Sequence, residues 1–271
     1  MTGFDDRYQV TIVKYGTRTT TRRDVFLNYP LYNESDGPIG MDFFFWIVRS
    51  PRRTVVVDTG FSPEGGRARN RTQLAEVSEL LGHFGVAPAS SPTVVLTHAH
   101  YDHIGNVGLF PESQFVMAES ELEFWSGRHA RRAMFHHSVD DEGLARLQGL
   151  KSEGRLRLFE GTLEVAPGIE VIEVGGHTPG QCVVKVKTSD GTVLLASDAV
   201  HFYEEYDRDM LFMSVADLVA MYEGFDYIRE LLDSGEIDHL VAGHDPDTLS
   251  RFKAASGEYG HLGATIGQLD A

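Results

Sequence analysis

The chain has 271 residues, 42% hydrophobic and 10% aromatic, with a formal net charge of -16. This is a globular composition long enough to bury a large core, and it excludes a disordered chain. The acidity argues against nucleic acid or an anionic membrane as a partner, because both need a basic face, but it leaves a cationic metal open.

Taken in chain order, "YQVTIVKYG" (residues 8–16), "MDFFFWIVRS" (41–50) and "RTVVVDTG" (53–60) read as strands, with "SPRR" as the hairpin turn between the last two. Phe43 to Trp46 read as core strand, and the longest apolar block, residues 43–48, has strand length rather than membrane length. "TQLAEVSELLGHFG" has helical apolar spacing at Leu74, Val77, Leu80 and Leu81, and Gly82 and Gly85 mark its end. "PTVVLTH" and "SQFVMAE" are short strands. Residues 119–160 are mostly amphipathic helix and read as an insert that caps the strand ends. Within it, "MFHH" (134–137) reads as the inner face of a helix more than as a lining of the cap. Three strands follow, "IEVIEV", "QCVVKVKT" and "TVLLASD", broken by "GGHTPG" and the turn "SDG". A helix over residues 214–235, capped by Ser214, leads to a last strand, "HLVAGHD", and a tail. No repeat or linker divides the chain, so one α/β domain over residues 1–271 is expected. The single cysteine, Cys182, excludes an internal disulfide, reads as a buried small residue, and fits a reducing cytoplasm. The opening "MTGFDDRYQV" has no apolar targeting core.

The chemistry concentrates in "VVLTHAHYDHIG". His98, His100, Asp102 and His103 fall within six positions, directly behind an apolar strand. A strand has a period of two, so His98 and His100 point to one side if the chain stays extended. Asp102 and His103 follow where the chain turns and face a point offset from the first. The spacing suggests two adjacent metal positions, and imidazole with carboxylate suits zinc, iron or manganese. Further ligands belong at other strand ends. His177 lies in "EVGGHTPGQ", Asp198 closes "TVLLASDA", and His244 closes "HLVAGHD". His83, His129, His239 and His261 lack such a setting and read as surface or capping residues.

In this order, "VVVDTG", "THAHYDHIG", "GGHTPG", "SDA" and "AGHD" resemble the metallo-β-lactamase superfamily, over about residues 55–244. The resemblance implies a four-layer αββα sandwich with its site at the strand ends. It implies that His98, His100 and His177 hold one metal, that Asp102, His103 and His244 hold a second, and that Asp198 bridges them. Asp58 would orient a ligand imidazole. The cofactors expected are two divalent cations, zinc foremost, with manganese, iron and cobalt also suited. Such cations lower the pKa of bound water from 15.7 to about 7, so a bridging hydroxide is expected to attack a carbonyl carbon and a metal to stabilise the oxyanion.

The resemblance is sharpest to the branch of N-acyl-homoserine lactonases and pyridoxolactonases, so the expected partner is a small-molecule lactone or ester. That branch usually has a tyrosine three residues after the bridging aspartate, where this chain has His201. His201 is expected to bind substrate and donate a proton, with Tyr203, or water acting through Asp102, as the other sources. Tyr101 is expected to wall the site. A glyoxalase II-like thioesterase would share the ligands but usually needs a basic site for a glutathione carboxylate, and the C-terminal region offers only Arg251 and Lys253. A mononuclear iron persulfide dioxygenase is disfavoured by the complete second set that includes His244. Oligomeric state is left open, a homodimer included.

Overall fold

In the strand Pro38–Arg49, Phe44, Trp46 and Val48 face one core while Phe43, Phe45 and Ile47 face another, all 2% exposed or less. Side chains alternate along a strand, so such a strand must be covered on both faces. The computed structural model describes residues 7–269 and covers it with a second sheet on one side and helices on the other. The larger sheet runs in the order Lys253–Ala254, Gly263–Ile266, Gln9–Thr21, Pro38–Arg49, Thr54–Val57, Thr93–Val95, Phe115–Ala118, Leu156–Phe159. The smaller runs His239–Ala242, Gly191–Ser197, Cys182–Thr188, Ile169–Glu173, Thr162–Ala166. Val10, Ile12, Trp46 and Val57 of the first sheet meet Val171, Val184 and Leu195 of the second in the inner core. Leu80, Leu122 and Leu147, from the helices Val77–His83, Glu119–Ser126 and Asp141–Ser152, cover the outer face of the larger sheet. Met221, Phe225 and Ile228 of Leu218–Asp233 cover that of the smaller. The result is the αββα sandwich expected.

Parallel pairing sets where the site sits. Thr54–Val57 runs parallel to Thr93–Val95, and Gly191–Ser197 parallel to His239–Ala242. Asp58, His98, Asp198 and His244 each follow the carboxyl end of one of these strands, the usual place for a site in such sheets.

Several elements differ from their sequence reading. Thr72 and Gln73 are not helical; they pair with Thr17 and Gly16 of the first strand. The helix therefore starts only at Val77, and Leu74 is 40% exposed rather than on an apolar face. The later helix begins at Leu218, because the Asp217 carboxylate, not Ser214, accepts the free N–H groups of Val219 and Ala220. Residues 119–160 hold three helices but end in the strand Leu156–Phe159, parallel to Phe115–Ala118. They thus form a crossover within the sheet, which parallel pairing requires. Thr162–Ala166, Lys253–Ala254 and Gly263–Ile266 are strands that the sequence reading left as connection and tail. No described helix is long and apolar enough to cross a membrane.

Candidate metal centre

After Thr93–Val95 the chain bends at Thr97, is extended at His100, and then makes one helical turn, Tyr101–Ile104. His98 and His100 lie in the stretch before the turn, while Asp102 and His103 lie within it. His98, His100, His177 and Asp198 converge as one buried group of potential ligands, and Asp102, His103 and His244 as a second.

Asp198 faces both groups. Its Oδ1 lies 3.2 Å from Nε2 of His103 and 3.2 Å from Nε2 of His244. Its Oδ2 lies 3.3 Å from Nε2 of His177 and 3.7 Å from Nε2 of His98. Burial pushes the Asp198 carboxyl up, but His244, His103, His201 and His98 outweigh it and hold it well below the usual range, so it is ionised.

The far nitrogens of these imidazoles are held by the protein. Nδ1 of His103 donates to Asp58 at 2.7 Å, that of His177 to the Ser214 carbonyl at 2.7 Å, and that of His244 to the Asp42 carbonyl at 2.7 Å. Nδ1 of His98 lies 3.2 Å from the Thr97 hydroxyl, which itself donates to Asp58 at 2.8 Å. Each such bond puts the proton on Nδ1 and leaves a lone pair on Nε2, aimed into the centre. Asp58 takes the left-handed backbone conformation at φ 60°, which turns its carboxylate back toward Thr97 and His103. Burial lowers His98 and His100 well below the ordinary imidazole value and takes His177 to about 3. His103 is instead raised, because Asp198, Asp58 and Asp102 outweigh its burial, so a cation binding there would displace a proton from Nε2.

This donor set fits divalent cations. At the centre, Nε2 of His98, of His103 and of His201 and Oδ1 of Asp198 are buried without a hydrogen-bond partner among the described residues. Nε2 of His177 faces Nδ1 of His100 at only 2.8 Å, although its own proton is already committed to Ser214. Unpaired polar atoms crowded in a dry interior are costly unless a cation lies between them.

Two carboxylates escaped the sequence reading. Glu121, fully buried, accepts from the N–H of Ala99 at 2.8 Å, the N–H of Gly180 at 3.0 Å and the Trp125 indole at 2.7 Å. It ties the loop of His98 and His100 to the loop of His177. Burial raises its pKa, and these bonds pull it back only in part. Glu205, also fully buried, accepts from the N–H groups of His201 at 2.7 Å and Phe212 at 2.9 Å and lies 3.1 Å from Nδ1 of His201. Only their place after an apolar strand or helix start marked them in the sequence.

His201 does not stand where a substrate donor was expected. It is fully buried, stacked on Phe212 with ring centroids 3.9 Å apart, and it is Phe212 that lines the cavity. Its Nε2 points at Oδ2 of Asp198, 3.3 Å away. Burial lowers its pKa most strongly, but Glu205 and Asp198 together outweigh that and raise it to about 9. Tyr203 is not at the centre either. Its hydroxyl donates to the Leu240 carbonyl, and its ring lies under the Arg251 guanidinium, 3.5 Å from the centroid. Tyr101 does line the cavity, its hydroxyl accepting from Nε of Arg71 at 2.9 Å. The cavity holds about 360 Å3 and opens over both ligand groups. Met134, Phe135 and His137 line it, so that stretch serves the cavity rather than the inner face of a helix, and Met134 is 71% exposed.

A sequence profile of the metallo-beta-lactamase superfamily matches residues 44–244. The chain is similar to an N-acyl homoserine lactonase from a Bacillus species, 24% identical over 159 residues, a match spanning 58% of each protein. It is also similar to the N-acyl homoserine lactonase AiiB of Agrobacterium fabrum, 28% identical over 237 residues, covering 79% of this chain and 83% of that one. Among solved structures, an N-acyl homoserine lactone hydrolase with the product N-hexanoyl-L-homoserine bound at its catalytic metal center superposes with a TM-score of 0.76. The two are 18% identical, over 92% of this chain and 98% of that one. With a matched region well over half its length, this chain belongs to the metallo-beta-lactamase superfamily.

Proposed function

We propose that this protein is a dinuclear metal-dependent hydrolase that opens a lactone. The observation that carries the reading is Asp198, whose carboxylate lies between the histidine groups, Oδ1 toward His103 and His244 and Oδ2 toward His177 as well as His244. His98, His100 and His177 would hold one cation, and Asp102, His103 and His244 the other, with Asp198 shared. Neutral imidazoles and carboxylates favour zinc, and manganese, iron or cobalt suit the same donors. Two such cations would supply Lewis acidity toward the ester carbonyl and an activated water as nucleophile.

The chain's own residues do the rest. Asp58, Thr97, Ser214 and the Asp42 carbonyl fix the imidazole tautomers. Phe212 and Trp125 line the cavity and exclude bulk water from the carbonyl that is attacked. His201, gripped by Glu205, acts on Asp198 rather than on the substrate. Relatives that are lactonases by name support the ester class, and the lone buried Cys182 suits the cytoplasm, where we place the protein.

Elemental analysis and a screen of N-hexanoyl-homoserine lactone, simple γ-lactones and S-lactoylglutathione test the reading. Two metals per chain with turnover of a lactone are expected. One metal at saturation, or a thioester turned over to the exclusion of every lactone, would overturn it.

A further inference from the structure

Three arginines line the cavity above the proposed centre, Arg18, Arg69 and Arg71. Thr17 pairs with Thr72 in the short antiparallel ladder, so one residue further on Arg18 and Arg71 stand side by side. Like charges opposed across a strand pair are destabilising. Both are half-buried, so water relieves the repulsion only in part. Burial first, and the charge of Arg71 second, hold the Arg18 guanidinium below its usual value.

The two are also short of partners. Arg18 has no hydrogen bond or ion pair among the described residues; the charges of Asp24 and Asp102 reach it only as longer-range attraction. Arg71 is anchored, donating from Nε to the Tyr101 hydroxyl and from Nη1 to the Arg69 carbonyl at 2.6 Å, while its Nη2 has no such partner. The third cavity arginine, Arg69, is spent on Asp140 and on the carbonyls of His137 and Val139. A chain of net charge -16 thus puts two under-used guanidinium groups beside an apolar wall that includes Trp125 and Phe135. Such forks match the geometry of carboxylate and phosphate oxygens.

We propose that Arg18 and Arg71 form an oxyanion-binding subsite, so that the substrate carries a carboxylate or phosphate group on an apolar body. This rests on the hydrolase reading above and narrows its substrate class, away from uncharged acyl-homoserine lactones.

The test pairs N-succinyl-homoserine lactone, with a carboxylate at the acyl end, against N-butanoyl-homoserine lactone, which ends in a methyl group. With the metal-loaded enzyme, kcat/KM is expected to favour the charged lactone, and that preference to fall roughly 10- to 100-fold in Arg18→Gln and in Arg71→Gln, as for a lost hydrogen bond to a charged group. A wild-type preference for the uncharged lactone, or a ratio that neither variant changes, overturns the subsite.

Binding gives a readout independent of turnover. Titration calorimetry of benzoate and of phenyl phosphate on the metal-loaded protein tells carboxylate from phosphate by which binds tighter. A carboxylate held by metal alone would bind wild type and variants equally, and that equality refutes the proposal. Weaker binding in both variants supports it, even if no lactone is opened and the hydrolase reading itself fails. Thermal melting separates a structural role. Removing one of two opposed charges is expected to raise the Tm of Arg18→Gln by about 1–3 °C. A lowered Tm with unchanged benzoate and phenyl phosphate binding marks Arg18 as a structural residue and overturns the proposal.

Discussion

Four of the five candidate ligand imidazoles, all but His100, are aimed by a partner on the far side, and His201 follows the same pattern with Glu205 behind it and Asp198 in front. A proton donor and an Asp198-positioning residue differ in what their loss does. If His201 holds Asp198, His201→Ala weakens metal binding about 10- to 100-fold, as loss of a residue that supports a ligand typically does. Competition with a chromogenic chelator measures this. Intact metal affinity with a depressed kcat would instead return His201 to the role of donor. Glu121 allows a second prediction of the same kind. It satisfies two backbone N–H groups on separate ligand loops. Glu121→Ala leaves both buried and unpaired, at about 1–3 kcal/mol each. Denaturant unfolding should show the loss, and chelator competition a weaker metal site.

At the scale of elements, the ligand loops are fixed by close packing as well as by hydrogen bonds. Gly176, just before His177, has φ +86°, and a Cβ there would meet both Cα and N of Met221 at 2.7 Å. The loop thus rests directly on the first turn of Leu218–Asp233. Gly176→Ala would strain the backbone and push loop from helix, at about 1–3 kcal/mol, lowering Tm and loosening His177 from the metals. A Tm equal to wild type would mean that the loop has another seat. Residues of this sort explain what could and could not be read beforehand. His98, His177, Asp198 and His244 were legible because each is a polar residue stranded at the end of an apolar run. Glu121 was not, because the loops it ties together are reached through backbone atoms 22 and 59 residues away, and backbone atoms leave no mark in a sequence. The strand Leu156–Phe159 was hidden by the helices before it, and Gly263–Ile266 is a strand only because Gln9–Thr21 has a free edge for it. Nor does sequence alone show that Arg18 and Arg71 meet, since 53 residues separate them and only the Thr17–Thr72 pairing brings them together.

For the molecule as a whole, the centre is a seam. His98, His100, Asp102 and His103 follow a strand of the larger sheet, while His177, Asp198 and His244 follow strands of the smaller. Besides the shared inner core, the sheets are joined at this edge by Thr97, whose hydroxyl lies 2.8 Å from that of Ser197 and whose carbonyl accepts from Cys182. Cations held by both halves would clamp the sandwich and relieve the crowding of lone pairs and carboxylates in its interior. Stabilisation by a ligand that binds only the native state is about 4 kcal/mol at a thousandfold excess over its dissociation constant. For a chain of this length each kcal/mol corresponds to roughly 2–4 °C. Stripping the metals with a chelator should therefore lower Tm by about 10 °C, and adding back zinc should restore it. The double variant His103→Ala, His244→Ala should show only part of that response, because one ligand group survives. An unchanged Tm on chelation would mean that the seam needs no metal to close, and that the two ligand groups do not hold the cations assigned to them.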